Sequence, residues 1–301
     1  MLAQQATRRS LTVATLGQRA ARLGHNSLKF VRTQPLGTLG VVIIVITLVF
    51  GLFGPLLDRY DPEHAVPAVR LQGPTGAHWF GTDHLGRDIY ARIVAGTRVS
   101  LQVAFFSIVV GTTAGYMLGI LSGYVGGKLD DVLERLVDAL LAFPPILLAL
   151  ILVSVLGAGL DKVIIAISFT LAPRAARISR GVVLSVKENV YIDASRVIGA
   201  NDIRIMLRHI LPNTMAPYLI LASVALGGAI LTEASLSFLG LGVPPPHPSW
   251  GRELSGNTAN YTLVNPWMAI FPGAAIMLLV LAFNLFGDAL RDIWDPRLRG
   301  R

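Results

Sequence analysis

Side chains that could carry out covalent or metal chemistry are few in this sequence and form no catalytic motif. The chain has 301 residues and no cysteine, which excludes a thiolate nucleophile, a thiolate metal site and a disulfide. Its six histidines are scattered, and neither an HExxH zinc motif nor a GxSxG nucleophile motif occurs. The sequence therefore predicts no catalytic residue and no metal ligand.

The nearest match to a phosphate-binding loop is SGYVGGKL at 122–129. It lacks the first glycine of such a loop, and Leu129 stands where Ser or Thr would hold magnesium. We interpret it as a glycine-rich turn. The sequence therefore predicts that this chain binds no nucleotide cofactor.

Glu233 is the only charged residue well inside its apolar run. An ionisable residue in such a position is a functional candidate, because an unpaired charge in a membrane is expensive. It could receive the amino group of a substrate in a pathway. Alternatively, it is a buried acid that is neutral or paired with a partner subunit.

The polar stretch DASRVIGANDIRIMLRHILPN, residues 193–213, interrupts the apolar sequence and predicts two short amphipathic helices. The expected apolar stripes are Val190, Tyr191, Ala194, Val197 and Ile198 on the first helix, and Ile203, Met206, Leu207, Ile210 and Leu211 on the second. Gly199 suits a positive φ at the end of the first helix, and Asn201 is a plausible N-cap of the second. Pro212 is expected to end that second helix, on which Arg204 and Arg208 share the polar side. Amphipathic stripes suit lipid headgroups and protein grooves equally, so the residues alone leave both surroundings open.

The elements that must position these residues are apolar. The chain is 53% hydrophobic and 15% charged, whereas soluble domains carry about 25% charged residues. An apolar helix of about 20 residues crosses a hydrocarbon core. Six candidates lie at 36–57, 99–123, 139–157, 161–180, 214–240 and 267–287. The predicted fold class is an all-α membrane protein with six transmembrane helices.

The fourth candidate is the weakest, because it crosses only if its helix continues through Arg174 and Arg177, with their charged ends reaching the interface. If all six cross, 19 of the 26 Lys and Arg residues lie on one face. The positive-inside rule makes that face cytoplasmic, with both termini on it. The net charge of +8 then fits an anionic lipid leaflet, and no nucleic-acid partner is expected.

Two features of the spans indicate how they pack. Gly111, Gly115, Gly119 and Gly123 repeat every four residues, which favours close packing inside the bundle over a special dimer face. Pro144 and Pro145 predict a kink in the third span.

Polar and aromatic residues predict roles for two outer segments. In the first, Thr82 or Asp83 can cap a short helix and Asp83 can reach Arg87. Asp83, Arg87 and Asp88 are candidates for a docking surface, with a folded ledge as the alternative. In PPPHPSW, residues 244–250, Trp250 is expected at the membrane interface.

Four segments carry a resemblance to a known family. The pattern formed by Asp193, Ala194, Ser195, Gly199, Leu211 and Pro212 resembles the EAA loop of bacterial ABC importer permeases, with Asp193 for the usual Glu, Ser195 for the second Ala and His209 where Ile is common. Residues 81–101, 234–251 and 284–299 resemble the C-type permease subunits of dipeptide and oligopeptide importers. The resemblance runs from about Gly81 to the C-terminus.

The resemblance implies a type I ABC importer permease whose EAA-like loop, at about 187–212, couples it to ATPase subunits. Its site residues would be Asp193, Ala194, Ser195, Gly199, Ala200, Arg204, His209, Leu211 and Pro212. The implied partners are a second homologous permease, two ATP-binding subunits that hold ATP and magnesium, an external substrate-binding protein, a peptide and the lipid bilayer. The implied location is the bacterial cytoplasmic membrane.

The expected organisation is a cytoplasmic segment 1–35, a first span 36–57, an outer segment 58–97, a core 98–290 and a cytoplasmic tail 291–301. Related permeases with nickel or opine substrates share these motifs. A secondary transporter or channel is the rival class, although no inverted repeat is visible. A scaffold subunit without transport is a third.

Overall fold

The structure, a computed structural model, describes residues 30–255 and 257–294. Within these ranges the regular elements are helical, which confirms the all-α class. They are α1 (Pro35–Leu57), a 3₁₀ turn (Pro67–Val69), α2 (Ile89–Val125), α3 (Gly127–Leu141), α4 (Pro145–Leu156), α5 (Leu160–Lys187), α6 (Val190–Val197), α7 (Asp202–Ile205), a π turn (Met206–Ile210), α8 (Leu211–Phe238), α9 (Trp250–Glu253), α10 (Asn257–Tyr261) and α11 (Trp267–Trp294).

Four of these helical segments are long and apolar enough to cross a membrane, and a bent pair raises the number to five if it counts as one span. The four are Pro35–Gly54 of α1, α2, the continuous segment Asp202–Phe238 and α11. Helix α5 has 28 residues and continues through Arg174 and Arg177 as expected, but its charged second half keeps it out of this set. Six crossings therefore remain a prediction.

The third predicted span is not one helix. Helices α3 and α4 meet at an angle of 91° in the bent pair. Pro145 occupies the first turn of α4, where a missing N–H is harmless, and a residue before proline avoids helical geometry. The kink predicted at Pro144 and Pro145 is confirmed, but the prolines end one helix and start another instead of bending a single helix over 139–157. Helix α4 has 12 residues and spans only about 18 Å.

Ion pairs fasten α3 to the charged half of α5. Arg180 Nε donates to Asp130 Oδ1 at 2.7 Å and lies 3.7 Å from Glu134 Oε1. Arg177 pairs with Asp138. The arginines of α5 therefore face the acidic side of a neighbouring helix, an arrangement in which Arg177 need not reach lipid headgroups.

The glycine repeat of α2 lies against α5. A Cβ on Gly115 would stand 2.1 Å from the carbonyl oxygen of Ala172, and a Cβ on Gly111 would stand 2.4 Å from that of Ser168. No real Cβ contact is that short, so the backbones touch where side chains are missing. This confirms close packing inside the bundle as the role of the repeat.

The predicted boundaries change in two places. Helix α2 begins at Ile89, so the outer segment ends at Asp88 rather than at 97. Asp88 caps the helix by accepting a hydrogen bond from the N–H of Ala91 at 2.8 Å. Most of the predicted segment 1–35 and of the tail lies outside the described residues, and α11 continues to Trp294.

Candidate functional site

The polar stretch after α5 forms a helical hairpin, Val190–Pro212, at the end of the bundle where α2 finishes. Gly199 has a φ of +82°, and the N–H of Ala200 donates to the carbonyl of Ser195 at 3.0 Å. Asn201 Oδ1 accepts from the N–H of Arg204 at 2.9 Å and so caps α7. The predicted roles of Gly199 and Asn201 are thereby confirmed.

The face that the hairpin buries is a narrow row of isoleucines. Ile192, Ile205 and Ile210 are fully buried and pack with Tyr116 and Tyr124 of α2. These side chains form a small core of their own, separate from the larger core of the bundle. The hairpin is therefore seated on the bundle as a compact unit.

The wider apolar stripe points away from the chain. Val197 is 87% exposed and Ile203 is 64% exposed. Exposed with them are Val190, Tyr191, Ala194, Ile198 and Leu207. Periodicity predicts which residues share a face but not whether that face is covered. These exposures show that the apolar stripe on α6 faces away from the bundle. On the second helix the expected stripe was partly wrong, since Ile210 is buried while Ile203 and Leu207 are not.

Polar contacts fix the hairpin to α2 and to itself. Tyr124 donates a hydrogen bond to Asp202 Oδ1 at 2.7 Å. Arg196 lies over the Tyr124 ring, 5.8 Å from its centroid, and pairs with Asp193 at 3.1 Å. The hydrogen bond with Tyr124, helped by the carboxylate of Asp193, raises the pKa of Arg196 above its ordinary value and outweighs the lowering effect of burial. The guanidinium therefore stays charged.

The remaining predicted residues of the hairpin divide between inside and outside. Ser195 is buried, donates to the carbonyl of Tyr191 at 2.7 Å and lies 3.4 Å from His209 Nε2. Asp193, Ala194, Gly199, Arg204 and Pro212 are exposed, whereas Ala200, His209 and Leu211 are half-buried.

The prediction that Pro212 ends the second helix was wrong. Pro212 lies inside the continuous segment Asp202–Phe238. The π turn before it shifts the hydrogen-bond register, and the N–H of Leu211 donates to the carbonyl of Met206. Asn213 Nδ2 donates to the carbonyl of His209 at 2.6 Å. The hairpin is therefore joined to α8 without a break, through a π turn that directly precedes the proline.

Glu233 on α8 has 0% of its surface exposed. Its carboxylate accepts hydrogen bonds from Ser237 Oγ at 2.7 Å and from Ser100 Oγ on α2 at 3.0 Å. A side chain with no accessible surface contacts neither a cargo molecule nor a second subunit in this state. The structure therefore gives Glu233 the role of an acid satisfied inside its own chain.

The outer candidates Asp83 and Asp88 are also buried, at 3% and 4% exposure. Asp83 pairs with Arg87 at 2.6 Å, which confirms that predicted contact, but it lies in a turn and caps no helix. Asp88 binds His78 Nδ1 at 2.8 Å in addition to capping α2. Both carboxylates are used inside the chain, so they form no docking surface and fit the alternative of a folded ledge.

Trp250 was expected at the membrane interface but is buried. Its indole N–H donates to the carbonyl of Ile93 at 2.9 Å, so the segment 244–250 is anchored on α2.

Two further contacts had no local signal in the sequence. Arg92 forms a two-pronged ion pair with Glu253, which is 161 positions away. Asn265 Nδ2 donates to the carbonyls of Gln72 and Thr82.

Comparisons with known proteins agree over most of the chain. A family described as "Binding-protein-dependent transport system inner membrane component" matches residues 115–300. The dipeptide transport system permease protein DppC of Alkalihalophilus pseudofirmus is 42% identical over 275 residues, which cover 91% of this chain and 90% of that protein. The glutathione transport system permease protein GsiD of Pectobacterium atrosepticum is 45% identical over 259 residues, 86% of this chain and 85% of that protein. GsiD of Escherichia coli O157:H7 is 41% identical over 277 residues, 92% of this chain and 91% of that protein.

Proposed function

Because the chain belongs to the family of binding-protein-dependent transport system inner membrane components, we propose that it is the permease subunit of an ATP-driven importer of short peptides. Family membership makes it a multi-pass membrane protein of the type I ABC importer permease class. Family membership also argues against the alternative classes, which were a secondary transporter, a channel and a scaffold subunit. The relatives' names favour peptides over nickel or opines as the cargo.

The single observation that carries the proposal is the outward apolar face of the hairpin, formed by Val190, Val197, Ile198, Ile203 and Leu207. A contiguous exposed apolar patch marks a contact with a protein or a membrane, and membership of a binding-protein-dependent transport family favours the protein here. The face projects from a rigid unit that continues into α8. A partner that moves the hairpin therefore moves a candidate membrane span with it.

The energy for transport has to come through such a contact. Reversing an access equilibrium from about 1:99 to 99:1 requires roughly 5.5 kcal/mol of differential binding. A chain without a phosphate-binding loop obtains this from partners that bind ATP and magnesium. We assign the hairpin to a groove on one of two ATP-binding subunits, with a second permease completing the pathway and a substrate-binding protein on the opposite side.

The orientation follows from the same assignment. If the hairpin meets cytosolic ATPases, then the face with most of the Lys and Arg residues is cytoplasmic. The described end of α11, at Trp294, would lie on that side, and Asp83 and Trp250 would lie outside.

The test uses the complete complex, reconstituted in proteoliposomes with ATP inside and binding protein outside. The Val197→Glu and Ile203→Glu variants place charge on the apolar face and are expected to lose the ATP-binding subunits on purification, together with dipeptide uptake. Leu263→Glu is the matched control, since Leu263 is 98% exposed on the loop before α11. Full assembly and uptake by both hairpin variants would overturn the proposal.

A further inference from the structure

A polar cavity of about 420 Å³ lies at the end of α2 opposite the hairpin. Helix α2 has 37 residues, so about 55 Å separates the two ends. The charged residues that line the cavity come from three parts of the chain: Asp83 and Arg87 from the outer turn, Arg92 from α2, and Arg252 and Glu253 from α9. Its volume lies within the range of small-molecule sites, about 300–1,000 Å³.

Both acidic residues of the cavity are committed to partners. Asp83 Oδ1 accepts from the N–H groups of Leu85 and Arg87, and its Oδ2 accepts from Arg87 Nε at 2.6 Å. Glu253 accepts from Arg92 Nε at 2.8 Å and from Arg92 Nη2 at 2.6 Å. Each acid is therefore neutralised by one arginine.

Arg92 is equally committed. Its third nitrogen, Nη1, donates to the carbonyl of Pro62 at 2.7 Å, and the residue is 2% exposed. It holds the outer segment, α2 and α9 together and is not available to a ligand. Arg87 has only its Nε in the pair with Asp83, so its terminal nitrogens make no hydrogen bond among the described residues.

Arg252 is the third arginine of the cavity, and it differs from Arg87 and Arg92 in its partners. Within residues 30–255 and 257–294 it forms no ion pair, and one nitrogen donates to the carbonyl of Val243 at 2.9 Å. Burial, with Arg92 and Arg87 nearby, lowers the pKa of Arg252 below its ordinary value. Burial also lowers the pKa of His84 below 6.5, so His84 adds no charge at pH 7. Three arginines against two acids leave the cavity with one net positive charge.

We propose that this cavity binds the carboxylate of a peptide cargo, with Arg252 as its principal ligand and the terminal nitrogens of Arg87 as the second. The proposal rests on peptide import as the proposed function. A guanidinium presents paired N–H donors that match a carboxylate. An anion also relieves the repulsion among the three arginines, and the cavity lies at the end where cargo would arrive.

The test is binding to the purified complete complex in nanodiscs without binding protein. The probes are N-acetyl-dialanine and its C-terminal amide, and the readout is the change in unfolding temperature across a titration. We expect the free acid to bind the wild-type complex and Arg252→Gln to weaken that binding about 10-fold or more. The amide should bind both weakly and equally.

Two variants serve as controls. Arg70→Gln removes an exposed arginine of the outer segment that does not line the cavity, and it should leave binding unchanged. Arg252→Lys keeps the charge but loses the forked geometry, and it should give intermediate affinity. If the glutamine variant does not assemble, wild-type affinity in the lysine variant would overturn the proposal, as would equal binding of acid and amide by the wild type.

A second arm separates cargo from a carboxylate of the docking protein. If Arg252→Gln raises the concentration of binding protein needed for half-maximal ATPase stimulation, equally for free and amidated peptides, the cavity receives a protein side chain and the cargo proposal is wrong. Absence of dipeptide uptake by the wild-type complex would refute peptide import itself. Acid binding that depends on Arg252 would remain measurable in that case, so the two failures are distinguishable.

Discussion

The turn at Gly199 tests whether the hairpin must be rigid. Its φ of +82° lies in the left-handed region, and a Cβ added there would meet no atom within 4 Å. The effect of a substitution is therefore conformational and not steric. An L-residue in this region costs roughly 1–2 kcal/mol, with β-branched residues at the upper end and Asn well tolerated. A cost of about 2 kcal/mol lowers the equilibrium ratio of the correct turn to its alternatives by about 30-fold.

The expected order of transport is therefore Gly199→Asn close to wild type, Gly199→Ala lower by several-fold and Gly199→Val lower by 10-fold or more. The assay is dipeptide uptake per ATP hydrolysed in proteoliposomes, because a misfolded turn should uncouple the two activities. The Asn variant is the matched control, since it adds a side chain in the same open space. Equal coupling in the Val and Asn variants of a fully assembled complex would refute the reasoning.

Three further predictions concern the bundle. Gly115→Ala places a Cβ 2.1 Å from a backbone oxygen and should lower stability by about 1–3 kcal/mol, whereas Gly228→Ala, with nothing within 4 Å, should not; thermal unfolding of both in detergent measures this. Burial, and secondly the charge of Asp88, raise the pKa of Asp58 to about 6 from 3.8, so its contribution to stability is full below pH 3.8 and is lost as the pH rises through 6. Asp58→Asn should therefore be more stable than wild type at pH 8 but not at pH 3.5, and equal differences at both pH values would contradict this. Glu233→Gln keeps one acceptor oxygen and offers an N–H donor to the hydroxyl oxygen of the other serine, so it should transport like wild type. Glu233→Ala leaves both serines unpaired and should lower the unfolding temperature; loss of uptake in a stable Gln variant would show that the acid acts on cargo.

Features that depend on neighbouring residues could be predicted from the sequence. The positive φ of Gly199, the cap by Asn201 and the pair between Asp83 and Arg87 each involve positions at most four apart. The repeat that includes Gly115 also has a local cause, because a helix face without side chains requires a close neighbour. The identity of that neighbour, α5, was not predicted.

Features that depend on the tertiary arrangement could not be predicted. A hydrophobic stripe does not indicate what it packs against. The outward direction of Val197 is therefore known only from the structure, in which the isoleucine row packs on α2 instead. Trp250 suits an interface by its chemistry, but the carbonyl of Ile93 binds it inside. Pro212 suits a helix end by its chemistry, but in the structure it lies within a continuous helical segment, directly after a π turn that the sequence did not signal.

The cavity lined by Arg92 and Arg252 could not be predicted for the same reason. Arg92 and Glu253 are 161 positions apart, and only the fold shows that their pairing leaves Arg252 without an acid among the described residues. The charge pattern along the sequence could not reveal this imbalance, because it is set by which groups face each other.

The measurement that tests the central claim most directly is site-specific crosslinking. The chain contains no cysteine, so Val197→Cys and Ile203→Cys each introduce a single thiol on the apolar face, and Leu263→Cys introduces one on the loop before α11. In a complex with demonstrated ATP-driven uptake, a short thiol-reactive crosslinker should join the two hairpin positions to an ATP-binding subunit and should not join Leu263 to one. Failure of both hairpin positions to capture an ATP-binding subunit in the active complex would contradict the claim.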